Sequence, residues 1–152
     1  MDTATTLSRL LGPLRRAVLR SARSAGNLPD LPDAQIELLR VLAACPGATP
    51  RAVATQLRMA PSTVSNLVKT MTASGLVERR PSPHDLRTVG LTATAAALEL
   101  LDRYDRTSSA ALAEAIAELG ALDEAVLSQA LPVMERLLAA LQETPDRPSG
   151  PQ

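Results

Sequence analysis

The apolar positions along the chain repeat with two periods, one helical and one alternating. Leu7, Leu10, Leu11, Leu14 and Val18 recur at helical spacing and predict a first helix over 5–25. Arg9, Arg15, Arg16, Arg20 and Arg23 make its other face. Gly12 and Pro13 interrupt the stripe, so this helix is either kinked there or begins at Pro13. The run NLPDLP, 27–32, reads as a linker. Asp33 is then expected to cap a second helix that carries Ile36, Leu38, Leu39, Val41 and Leu42 and ends near Cys45-Pro46-Gly47.

The next stretch, 49–94, organises the rest. Thr49 before Pro50 reads as an N-cap followed by proline at the first helical position, where its missing N–H costs nothing. Val53, Ala54 and Leu57 continue that short helix over 50–57. Pro61 opens another, in which Val64, Leu67, Val68 and Met71 form one apolar stripe. Gly75 stands where a helix ending near Ser74 needs a left-handed residue. The period then changes to two. LVERR, 76–80, predicts a strand, and Val89, Leu91 and Ala93 alternate on a return strand over 88–93. Pro81, Ser82, Pro83, His84 and Asp85 supply turn residues at the tip. Two short helices, a tight turn and a hairpin predict a winged helix-turn-helix, a shape that puts one helix into a DNA major groove.

Ser62, Asn66, Lys69 and Ala73 point away from the stripe of the second short helix, flanked by Thr63, Ser65 and Thr70. This face is small, polar and carries one cation. Short hydrogen-bonding side chains let a backbone approach the bases, and Asn can pair bidentately with adenine. The alternative reading is an ordinary solvated face. Arg79, Arg80 and Arg87 lie at or near the hairpin tip, and Arg87 is positioned for a minor groove, whose negative potential attracts Arg. Asp85 is expected to orient Arg87 by a charge-assisted hydrogen bond. The alternative is an exposed hairpin with an ion pair worth little.

From 94 to 119 the pattern predicts one long helix. Leu98, Leu101, Ser108, Leu112, Ala115 and Leu119 recur at heptad-like spacing, with Glu99, Asp102, Arg103, Asp105 and Arg106 outward. Gly120 ends it. Asp123 is expected to cap a last helix reaching about 141, bent at Pro132, with Val126, Leu127, Ala130, Val133, Leu137, Leu138 and Leu141 apolar. These stripes are wider than a small winged lobe can cover. A second copy of the chain would cover them and set two recognition helices about one DNA turn apart, on a palindromic site. A helical hairpin that buries itself is the alternative. The tail 144–152 is Pro-rich and polar and reads as disordered.

Composition narrows the picture. The 152 residues amount to one domain, and 45% of them are apolar, with no Phe or Trp and a single Tyr. The core must therefore be aliphatic, which suits packed helices. Much Ala, Arg and Pro points to a GC-rich bacterial genome. No membrane-spanning or signal segment is present, so a cytoplasmic protein is expected. The net charge is zero, but it is unevenly spread. Residues 51–90 hold six cations (Arg51, Arg58, Lys69, Arg79, Arg80, Arg87) against Glu78 and Asp85, while 91–152 holds four against ten acidic residues. The local positive sign is the one a phosphate backbone feels.

The stretch resembles the MarR family of bacterial transcriptional regulators. The likeness is carried by Ala54 and Leu57, by PSTVSNLV, by GLVERR, and by Asp85, Arg87, Leu91 and Thr94 at family-like spacing. The order of elements matches along the whole chain. Three positions depart: Arg58 where that family usually has Gly, Ala60 where it has a Ser or Thr cap, and Ala93 where it has a larger aliphatic. The resemblance implies a mainly α fold with a small β-hairpin wing. The winged lobe would be 33–93, and 5–25 and 94–142 would be dimerisation helices. It further implies a homodimeric regulator, more in keeping with a repressor than an activator, on a palindromic operator in double-stranded DNA. Ser62, Thr63, Ser65, Asn66 and Lys69 would read the major groove, and Arg87, held by Asp85, the minor groove. Arg51, Arg58, Arg79 and Arg80 would meet phosphates. A small effector would bind between the dimer helices and the DNA-binding lobe and release the DNA. A rival from another class is a winged-helix module that binds a protein instead of DNA.

Little else in the chain suggests chemistry. Cys45 is the only cysteine, so no internal disulfide forms. Its neighbours offer no cation, and a buried or inert thiol is expected over a redox switch. Cys45 and His84, the only histidine, are far apart and give no metal-site spacing. No nucleophile–base set or phosphate loop is present. A non-enzyme without metal or cofactor is expected, with Tyr104 the one aromatic side chain, in an effector site or in the core.

Overall fold

The computed structural model describes residues 2–81 and 85–143. The elements run α1 (Thr3–Gly26), α2 (Asp33–Ala44), α3 (Pro50–Leu57), α4 (Pro61–Ala73), β1 (Val77–Pro81), β2 (Val89–Ala93), α5 (Ala95–Leu119) and α6 (Ala121–Glu143). The chain divides into two units, 1–111 and 112–152. The fold class expected from the pattern, mainly helical with one hairpin, is the one observed.

The first unit has an aliphatic core. Leu38, Leu39 and Leu42 of α2 meet Val53 of α3, Val64, Val68 and Met71 of α4, Val77 of β1 and Leu91 of β2, all fully buried. Each supplies the inward stripe of its own element, so the core is where these stripes converge. Replacing one buried Leu by Ala there would cost about 2–5 kcal/mol. Ala97, Leu101 and Tyr104 bring α5 into the same cluster. The heptad-like reading of α5 needs correction here: Leu98 is 44% exposed, and the buried positions are Ala97, Leu101 and Tyr104. Arg103, expected outward, is half-buried and donates to the Gly26 carbonyl at 2.8 Å.

Tyr104 is a core residue, only 2% exposed. Its hydroxyl donates to the Pro29 carbonyl and accepts the Leu31 N–H at 3.4 Å. A buried hydroxyl must be satisfied, and here the α1–α2 linker satisfies it. The linker is fixed at its other end as well, where Asn27 closes α1 in the left-handed conformation and Arg23 pairs with Asp30. Arg40 of α2 and Asp105 of α5 form a two-pronged pair at 2.6 and 3.1 Å, and the Asp105 carboxylate raises the Arg40 pKa. Both side chains are about half exposed, so solvent screening keeps this pair's contribution small.

Several boundaries differ from the pattern's prediction. α1 is continuous through Gly12 and Pro13 and begins at Thr3, because Asp2 accepts the Thr5 N–H at 2.7 Å and caps it. Asp33 does not cap α2. It is the first helical residue after Pro32, and its carboxylate accepts from Arg15 at 3.2 Å instead. Asp123 likewise lies inside the first turn of α6, which follows Gly120 at φ +91. Cys45 closes α2 and is exposed, so of the two expectations, a buried or an inert thiol, the first does not hold.

In the second unit the last turns of α5 lead into α6. No residue of α6 is buried. Leu122, Val126, Val133 and Leu137 make one exposed apolar stripe, and Leu127, Leu131, Met134, Leu138 and Leu141 make another beside it. No helix among the described residues is long and apolar enough to cross a membrane. The tail from 144 onward lies outside the described residues.

Candidate nucleic-acid interface

α3 starts where its cap predicts. Thr49 accepts the Ala52 N–H on its hydroxyl at 3.1 Å, and Pro50 follows. It ends at Arg58, which takes the left-handed conformation (φ 52, ψ 42) and sends its N–H back to the carbonyls of Ala54 and Thr55. This backbone explains the departure seen in the sequence: the turn between the two helices suits glycine, and a side chain there costs roughly 1–2 kcal/mol.

α4 begins at Pro61 behind Ala60, which offers no side-chain cap. Its buried side is Val64, Val68 and Met71, with Leu67 half-buried. Ser62, Thr63, Ser65, Asn66 and Lys69 are all exposed. They share one helix face because the inward stripe occupies the other. At its C-terminus the Leu76 N–H bonds the Met71 carbonyl (2.9 Å) and the Gly75 N–H bonds that of Thr72 (3.1 Å), with Gly75 at φ +74. Thr94 ties this end to α5. Its hydroxyl donates to the Gly75 carbonyl at 2.7 Å and accepts the Ala97 N–H at 3.2 Å.

The hairpin is antiparallel, with Val77 opposite Ala93, Arg79 opposite Leu91 and Pro81 opposite Val89. Leu91 and Ala93 are buried, but Val89, expected on the same buried face, is 45% exposed because it lies beyond the core towards the tip. The α2–α3 loop adds a third, short pairing. Gly47 donates to the Leu91 carbonyl (2.9 Å) and Leu91 donates to the Ala48 carbonyl (2.8 Å). Gly90 is buried in this seam, where a Cβ would fall 2.7 Å from the Gly47 carbonyl oxygen. Sequence reasoning missed this residue. The signal was a glycine inside a strand, which often marks the close approach of another backbone.

At the tip, Asp85 does not hold the Arg87 guanidinium as expected. One carboxylate oxygen accepts the Arg87 backbone N–H at 2.9 Å, and the other accepts the Thr88 hydroxyl at 3.2 Å. A short acidic side chain that grips the backbone two residues on shapes a turn. It sets where Arg87 leaves the backbone, and the side chain itself is exposed. Among the described residues no ion pair involves Arg87. Arg80 pairs with Glu78 two residues back at 2.7 Å, both on the face opposite Arg79. Arg51, Arg58 and Arg79 are exposed. Ser82, Pro83 and His84 lie outside the described residues. No cluster among the described residues has the groups to hold a metal ion.

The candidate interface is thus a polar helix face with its apolar side locked into the core, beside a hairpin bearing arginines. Comparison with known proteins agrees with this geometry. The MarR family model matches residues 30–88, which include α2, α3, α4 and β1. The HTH-type transcriptional regulator Mb0904 of Mycobacterium bovis is 30% identical over 141 residues, covering 91% of this chain and 96% of that protein. A point mutant of S. aureus MepR superposes with a TM-score of 0.74 at 17% identity, over 91% of this chain and 99% of that one. Another MepR point mutant, solved bound to an oligodeoxyribonucleotide, has a TM-score of 0.63 at 19% identity, with coverage of 91% and 99%. The fold is that of a winged helix-turn-helix protein. The chain belongs to the MarR family of transcriptional regulators.

Proposed function

We propose that this protein represses transcription by binding a palindromic operator in double-stranded DNA as a homodimer. The observation that carries the reading is the α4 surface. Ser62, Thr63, Ser65, Asn66 and Lys69 are exposed together on a helix whose other side is locked by Val64, Val68 and Met71. Such a helix can enter a major groove without unfolding anything. Asn66 and Lys69 are suited to base edges. Arg87 enters the adjacent minor groove from the hairpin. Arg51, Arg58, Arg79 and Arg80 meet phosphates, with Arg80 first leaving Glu78. Among the solved structures of this fold, one of a mutant MepR carries an oligodeoxyribonucleotide, which supports DNA as the partner.

The homodimer rests on uncovered apolar surface. In the single chain, Leu10, Leu11 and Leu14 of α1 and nine large apolar side chains of α6 are exposed. Exposed apolar surface on that scale, on each of the two units, marks an interaction site. A second copy covers it and presents two recognition helices to two half-sites.

A gel shift with the DNA flanking the protein's own coding region tests this, at two salt concentrations and with random-sequence competitor. A competitor-resistant, salt-sensitive complex is the expected result. No complex at low salt, from a folded dimer, would replace DNA by a protein partner at the same face.

A further inference from the structure

We infer that Leu86 is an apolar minor-groove contact at the hairpin tip, wedged against the bases beside Arg87. The inference rests on the DNA-binding reading above. A single exposed leucine is ordinary on a protein surface. This one is set apart by its place. Outside α1, α5 and α6, the exposed large apolar side chains among the described residues are Leu86, at 84%, and Val89, at 45%. Both lie at the tip of the hairpin, one on either side of Arg87 in the chain. The winged lobe thus leaves large aliphatic surface open at the place where the hairpin would meet DNA.

The turn holds the leucine out. The Thr88 N–H donates to the Asp85 carbonyl at 3.0 Å, which makes Leu86 and Arg87 the central pair of a four-residue turn. The Asp85 carboxylate accepts the Arg87 N–H at 2.9 Å and the Thr88 hydroxyl at 3.2 Å. These bonds fix the backbone beneath two exposed neighbours, one apolar and one cationic. That pairing matches minor-groove recognition. The groove's negative potential draws arginine, and leucine is among the side chains that wedge between base steps, unstack them and kink the duplex. A wedge already held in place costs little to order on binding. Leu86 buries little within the chain, so the groove can cover most of its apolar surface. Pyrimidine–purine steps unstack most easily, and Leu86 favours such a step where each hairpin meets the operator.

The test compares wild type, Leu86→Ala and Leu86→Met in thermal melts and in operator titrations at about 50 and 200 mM salt. The DNA bend is read by energy transfer between dyes at the two ends of the operator fragment. All three proteins should melt alike, because the side chain is exposed. Leu86→Ala should bind roughly ten-fold or more weakly, having lost most of an apolar side chain from each hairpin of the proposed dimer. The deficit should be the same at both salt concentrations, because an apolar contact releases no counterions. Its complex should also be straighter. Leu86→Met keeps an apolar wedge and should resemble wild type in affinity and bend. Wild-type affinity in Leu86→Ala overturns the contact. A deficit that shrinks as salt rises overturns its apolar character, and an unchanged bend overturns the wedge. If wild type itself forms no operator complex, the DNA-binding reading fails, and this inference falls with it.

Discussion

Gly90→Ala is the sharpest test of how the hairpin is held. A Cβ at this position would lie 2.7 Å from the Gly47 oxygen and 3.2 Å from its carbonyl carbon and Cα, all of them backbone atoms. No side-chain rotation can relieve that overlap. One route keeps the loop in place and accepts overpacking, at about 1–3 kcal/mol. The other moves the loop and gives up its bonds to Leu91, at 2.9 and 2.8 Å, each worth about 0.5–1.5 kcal/mol. Either route leads to a loss of about 2 kcal/mol. For a chain of this length that lowers the melting point by roughly 4–8 °C. Urea unfolding followed by far-UV circular dichroism measures the loss, at one fixed protein concentration because the stability of the proposed dimer would depend on it. Gly12→Ala is the control. It is a helical glycine whose added Cβ meets only the far end of Arg16 at 3.3 Å, so it should stabilise by about 0.5–1 kcal/mol. If Gly90→Ala unfolds at the same urea concentration as wild type, the third pairing does not hold the hairpin.

Tyr104→Phe should cost about 1 kcal/mol and no more, since the Leu31 N–H that loses the hydroxyl still reaches the Pro29 carbonyl at 3.1 Å; a cost above about 3 kcal/mol would mean the linker itself unfolds. Asn66→Ala should lose about 1–3 kcal/mol of discrimination between operator and random DNA, and equal losses on both would reassign it to the backbone. Arg87→Ala should weaken operator binding while leaving dimer and melting point intact, because Asp85 anchors the main-chain N–H and that bond survives; undiminished binding at fixed salt would remove Arg87 from the interface.

The hydrophobic period alone determined the elements and the inward face of each helix of the winged lobe. The stripe of Val64, Val68 and Met71 is a property of 3.6 residues per turn, so the outward set of Ser62, Asn66 and Lys69 followed from it before any packing was known. Caps that act within one turn were legible for the same reason, as Thr49 and Gly75 show. Where a cap competes with a distant partner, local reasoning failed, and Asp33 went to Arg15 across eighteen residues. Only the tertiary structure decided which stripe of α5 faces the core, because Ala97 and Tyr104 are chosen by the elements packed against them and not by their spacing. It also decided the role of Gly90, which depends on a loop more than forty residues earlier in the chain. Asp85 lies between these cases. Its spacing to Arg87 was visible, but whether it grips the guanidinium or the backbone depends on how the turn folds, and the N–H two residues on is the partner that turn brings within reach.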